Sequence, residues 1–204
     1  MWRLLVPLKY LLISHPEKRT FDIWVPLGIA LVMMLPLLSQ QFRTDAVTTL
    51  DVFGRSSDLL SVLTGFFVAA LAAVATFGGP EMDETMPGKP PVTLDHGTHV
   101  EPLSRRRFLS FLFGYLAFLS LFMYLFGFAF AAVQQYVVLA FVKDWAPWTF
   151  AAFWVAFSVM AGNLISTALL GLFYLTDRIH RTNRKLSSGA SSDQPKAKER
   201  ETVE

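Results

Sequence analysis

Four stretches of the chain contain no Asp, Glu, Lys, Arg or His: residues 23–42, 59–80, 108–142 and 145–176. Each reaches the roughly 20 apolar residues that an α-helix needs to cross about 30 Å of hydrocarbon. Inside lipid every peptide group must find its hydrogen bond within the protein, so such a run has one structural solution, the helix. The expected fold is therefore all-α: an integral membrane four-helix bundle with spans at 23–42, 59–80, 108–135 and 149–176. At 53% hydrophobic and 17% charged over 204 residues, the composition is too apolar for a soluble globule of this size and agrees with lipid as the solvent. The third run is longer than a membrane is thick, since a straight helix over its 35 residues would extend about 52 Å. Either the helix leaves lipid at Gln134 and Gln135, or it tilts strongly or breaks at Gly127.

Orientation follows from where the basic residues lie. Lys and Arg number four before the first run, two in the first loop (Arg43, Arg55), four in the central loop 81–107, one in the third loop (Lys143) and seven in the tail. Fifteen of the 18 then fall on one side, which the positive-inside rule makes cytoplasmic, with both termini there and the chain multi-pass. Trp24, Trp145 and Trp148 stand at the borders of the runs, where indole rings favour the headgroup level.

The flanking segments divide by composition. In residues 1–20, Leu4, Leu5, Leu8, Leu11 and Leu12 recur at helical spacing beside Trp2, Arg3 and Lys9, which predicts a short amphipathic helix on the cytoplasmic leaflet, with a frayed leader as the alternative. Lys9 interrupts the apolar part and no small-residue cleavage pattern follows, so the segment reads as retained. The central loop 81–107 is rich in Pro and Gly and predicts an extended cytoplasmic excursion without regular structure. Residues 179–204 have almost nothing to bury and predict a disordered cytoplasmic tail.

Chemistry is sparse. The absence of cysteine removes disulfides, thiolate metal sites and cysteine nucleophiles. His96 and His99, with Asp95 and Glu101, offer two histidines where a zinc site wants three or four ligands, and a solvated loop is the simpler reading. His15 and His180 read as polar flanks at membrane borders. There is no Gly-rich phosphate loop, no G-x-S-x-G elbow, no histidine pair on a span and no paired intramembrane carboxylates, so neither catalysis nor a cofactor is expected.

What remains are two kinds of surface. Arg105, Arg106 and Arg107, and Arg178, Arg181, Arg184 and Lys185, lie just cytoplasmic of a span, where each cation gains about 1 kcal/mol from anionic lipid headgroups. These clusters either set topology or receive an acidic or nucleic-acid-linked protein partner, and a net charge of only +2 argues against direct nucleic-acid binding. Gly65, Ala69, Ala72, Ala73 and Thr76 form a small-residue strip on the second span, and Ser158, Gly162, Asn163, Ser166 and Thr167 form a second patch on the fourth. Small residues let helix backbones approach closely, so both predict helix interfaces and a homo-oligomer, the polar members pointing to neighbouring helices or to a wet cavity. Pro26 and Pro36 predict a kinked first helix. No ionisable group lies within a span, which disfavours an ion pump. The leading expectation is a non-enzymatic membrane sensor and anchor that recruits a cytoplasmic partner. The competing one is a pore-forming channel or membrane-disrupting effector, wetted by Gln134, Ser158, Asn163, Ser166 and Thr167 from several copies.

The whole-chain plan, together with LTGFFVAALAAVATF from Leu63 to Phe77, resembles the KwaA family, the membrane subunit of the Kiwa anti-phage defence system. That resemblance implies a homo-oligomeric bacterial inner-membrane protein that senses disturbance of the membrane at phage attachment and holds a cytoplasmic DNA-binding partner. It carries no residue roles.

Overall fold

The computed structural model describes residues 8–11, 13–14, 23–44, 46–76, 80–83, 85, 93–95, 100–140 and 146–178. Two compact units divide the chain, Met1–Gly171 and Leu172–Glu204. Six helices lie among the described residues: α1 (Val25–Met34), α2 (Gln40–Thr44), α3 (Ala46–Thr76), α4 (Pro80–Asp83), α5 (Arg105–Ala140) and α6 (Ala146–Phe173). Three helical segments are long and apolar enough to cross a membrane: Phe53–Thr76 in α3, Arg105–Ala132 in α5, and Pro147–Thr176, which runs from α6 into the π-helical turn that follows it.

The first apolar run is helical but shorter than expected. After α1 the chain tightens into a 3-10 turn over Leu35–Leu38, and Ser39 then turns extended at ψ 124°. Pro36 causes the tightening, because it has no N–H to donate and its ring crowds the preceding turn. The apolar helix Val25–Leu38 thus covers 14 residues, or roughly 23 Å at 1.5 Å per α residue and 2.0 Å per 3-10 residue. The expected kink is a break, and it falls at the end of the helix rather than within it.

Of the expectations for the long third run, α5 rules out the break. It is one continuous 36-residue helix, about 54 Å long, with no break at Gly127 and no end at Gln134 or Gln135. Gly127 is buried where α5 passes α3, and a Cβ there would stand 3.8 Å from the Ser57 hydroxyl.

Side-chain pairs fix how the helices run. Between α3 and α5 they are Phe53 with Phe130, Thr64 with Ser120, and the Val74 and Ala75 carbonyls with Arg106, so these helices are antiparallel. Tyr115 with Asn163 and Phe126 with Phe153 make α5 and α6 antiparallel as well. Pro26 and Ala30 lie against Gly162, Met33 against Trp154, and Phe42 against Phe150, so the first run descends along α6 in the opposite sense. At the centre of one end, Phe53 is only 4% exposed and meets Phe150, Phe153, Trp154 and Phe157 edge-on, with centroids 4.7–6.0 Å apart. Edge-to-face rings gain about 0.5–1.5 kcal/mol per pair beyond area.

Two expectations for the flanks are corrected. Residues 8–11 form a 3-10 turn and β1 is Ile13–Ser14, so the described part of 1–20 is not an amphipathic helix. Tyr10, only 1% exposed, stacks on Tyr115 at 5.1 Å and tilts against Phe108 at 6.4 Å. Burial of that ring among helix side chains competes with laying the leucine stripe on a leaflet. The central loop contains β2 (Thr93–Asp95) and β3 (Val100–Pro102), antiparallel with Leu94 opposite Glu101, and β1 joins the other side of β2 with Ile13 opposite Leu94. A small three-stranded sheet in the order β1-β2-β3 therefore replaces the expected structureless excursion, with Pro102 on an edge strand, where its missing N–H costs least.

Candidate functional site

Immediately after β3, Leu103 is buried and Ser104 caps α5: its hydroxyl accepts from the Arg107 amide at 3.4 Å and its carbonyl from the Phe108 amide at 3.0 Å. Three arginines at the positive end of a helix oppose the peptide dipole. Arg106 offsets this by reaching across to the end of α3, where its Nη1 donates to the Val74 and Ala75 carbonyls, both at 3.4 Å. The same guanidinium grips Asp83 of α4, Nε to Oδ1 at 2.7 Å and Nη2 to Oδ2 at 3.3 Å. One cation thus caps a carbonyl-rich helix end and ties α4 to the bundle. Arg105 is partly buried, whereas Arg107 is exposed with its guanidinium carbon 5.9 Å above the Phe111 ring. Of the expected basic surface, Arg106 is engaged with α3 and α4, and Arg107 is exposed while lying over Phe111. Arg178 ends the described residues as part of a π-helical turn, and Arg181, Arg184 and Lys185 lie outside them, as do His15, His96, His99 and His180.

The two small-residue patches separate. On α6, Ser158 is fully buried, Ser166 and Thr167 are 2% exposed, and the Asn163 carbonyl oxygen accepts from the Tyr115 hydroxyl at 2.7 Å. Gly162 is buried so closely against α1 that a Cβ would overlap the Pro26 carbonyl oxygen, and would lie 3.2 Å from its carbon and 3.3 Å from the Ala30 nitrogen. This patch faces the chain's own helices. On α3, Gly65, Ala69 and Ala72 are outward-facing and Ala73 is partly so, and a Cβ on Gly65 meets nothing within 4 Å. That patch is left open among the described residues. α3 instead meets α5 through Thr64 and Ser120, whose hydroxyls are 2.9 Å apart and lie 2.7 and 3.1 Å from the Leu60 and Ala117 carbonyls of their own helices.

Sequence reasoning passed over Trp154, whose indole Nε1 donates to the Met33 carbonyl at 2.8 Å. In 3-10 geometry the carbonyl of residue 33 would accept from residue 36, and Pro36 has no N–H. Trp154 fills that place. The signal was present as Pro36 opposite a stripe of Phe150, Phe153, Trp154 and Phe157 at spacings of three, one and three, the core-facing period of a helix. Tyr10 and Arg43 were passed over as well, and no periodic pattern marks either.

Comparisons of the chain with protein-family models, with curated proteins and with solved structures found no match.

Proposed function

We propose that this chain is a non-enzymatic sensor and anchor of a bacterial inner membrane, assembled from several copies, with both termini cytoplasmic and a cytoplasmic protein as its partner. The observation that carries this reading is the enclosure of the polar α6 side chains by the chain's own helices. A pore built from several copies needs Ser158, Ser166 and Thr167 on an outward face, and they are 0–2% exposed in the single chain. Outward-facing polar groups also stand where β3 enters α5, among them Asp83, Thr85 and Arg107. That end offers a folded, basic platform suited to an acidic surface. The outward strip of Gly65, Ala69 and Ala72 on α3 is the contact for a second copy, since close backbone approach is the main attraction between helices in lipid. The first apolar run completes the fourth crossing together with its flanking residues, and anionic headgroups surround the basic border. The Kiwa plan supplies the biological setting for this reading, anti-phage defence with a DNA-binding partner subunit.

The test is purification in mild detergent followed by mass spectrometry of co-purifying proteins, beside conductance of the pure protein in liposomes. A soluble partner retained by the wild type and released by neutralising Arg105 and Arg107, without conductance, supports the anchor. Robust conductance with no partner overturns it in favour of the pore, and export of reporters fused after Gly88 and at the carboxy-terminus overturns the orientation.

A further inference from the structure

α2 and the first turns of α6 meet beyond the ring cluster and form the walls of an open cavity of about 230 Å³, lined by Gln40, Arg43, Pro147, Trp148 and Ala151. Arg43 is the only ionisable side chain in Gln40–Thr44 and residues 146–151 together, so no carboxylate of either element offsets its charge. Its Nε is shut off from solvent and has no hydrogen-bond acceptor among the described residues. Buried donors are ordinarily matched, and a cationic donor is the costliest to leave unmatched. The cavity wall adds the start of a 28-residue helix, the positive end of its peptide dipole. Trp148, 70% exposed beside it, is an indole at a helix end, the side chain that settles at the headgroup level of a bilayer.

We propose that this cavity binds a phosphate group at the membrane interface, held by the Arg43 guanidinium against the start of α6. A guanidinium presents two parallel N–H donors that match two oxygens of one phosphate, and a helix start favours the same charge. The phosphate belongs either to a lipid headgroup or to a soluble anion entering from water. The site is independent of the partner-binding role proposed above, because it lies where α6 begins and the basic platform lies where α5 begins.

Thermal unfolding of the purified full chain in non-ionic detergent tests this with three additives: inorganic phosphate, phosphatidylglycerol, and diacylglycerol, which lacks the phosphate. Phosphatidylglycerol should stabilise the wild type where diacylglycerol does not, and Arg43→Gln should weaken its apparent affinity at least tenfold. Stabilisation by inorganic phosphate too would identify a site open to the soluble anion, and stabilisation by the lipid alone a headgroup site. Ala151→Phe fills the cavity while keeping the cation and should lose the effect, so a folding defect of Arg43→Gln, read by circular dichroism, leaves the proposal testable. Arg55→Gln removes a cation elsewhere and should bind as the wild type. No phosphate-dependent stabilisation, unchanged affinity in both Arg43→Gln and Ala151→Phe, or an equal loss in Arg55→Gln would each overturn the assignment.

Discussion

Replacing Gly162 by alanine puts a methyl group into the Pro26 carbonyl oxygen, with the carbonyl carbon 3.2 Å and the Ala30 nitrogen 3.3 Å away. These are backbone atoms of a helix, so no flexible side chain can swing aside. Restoring ordinary non-bonded separations near 3.5 Å requires α1 to retreat from α6 by roughly 1 Å. Two turns away along α6 the Trp154–Met33 hydrogen bond spans 2.8 Å, and the same retreat stretches it past bonding range. Overpacking of this kind costs about 1–3 kcal/mol and the lost hydrogen bond about 1 kcal/mol more. Gly162→Ala should therefore destabilise by roughly 2–4 kcal/mol in reversible unfolding from mixed micelles, the sum of those two contributions. Gly65→Ala, with open space around its Cβ, should stay within about 0.5 kcal/mol of the wild type. A double-mutant cycle isolates the mechanism: Trp154→Phe should cost about 1 kcal/mol less in the Gly162→Ala background, because the bond it removes is already broken. Additive effects, or a Gly162→Ala variant as stable as the wild type, would refute the reasoning.

Phe53→Ala should cost roughly 3 kcal/mol or more by emptying the ring cluster, whereas Phe66→Ala, 53% exposed, should cost under about 1 kcal/mol in the same unfolding assay. The Thr64–Ser120 contact should show a coupling energy of about 0.6 kcal/mol in a Thr64→Val, Ser120→Ala cycle, the size typical of hydroxyl pairs between membrane helices. Arg106→Gln should lose about 1 kcal/mol, combining a solvent-screened ion pair with a helix-end contact, and the ion-pair share should shrink as salt is raised.

The three long helices were legible because uncharged runs of that length admit one backbone solution. Their ends were less so. Arg55 and Asp58 mark a polar border in the sequence, yet α3 runs through both, since a helix accepts charged residues where their side chains are exposed. The sheet escaped notice because its strands are two or three residues long and Ile13 pairs with Leu94 far along the chain, too short and too distant for any local period to register. The two small-residue strips look alike as spacing, and only their surroundings tell them apart: α1 lies on the one containing Gly162, and among the described residues the one containing Gly65 stays open. Pro36 announced a distortion but not its partner, which came from Trp154 more than a hundred residues later.

The grip of α6 on α1 runs largely through atoms common to every amino acid, the main chain at Pro26, Ala30 and Met33. Leu27, Leu31, Val32, Leu35 and Leu38 point away from it, with 45–80% of their surface uncovered. Drift among greasy residues along α1 should accordingly leave the attachment intact, while its groove on α6 tolerates almost no change of lettering at Gly162 or Trp154. The docked helix of the pair is anonymous and the receiving one is not.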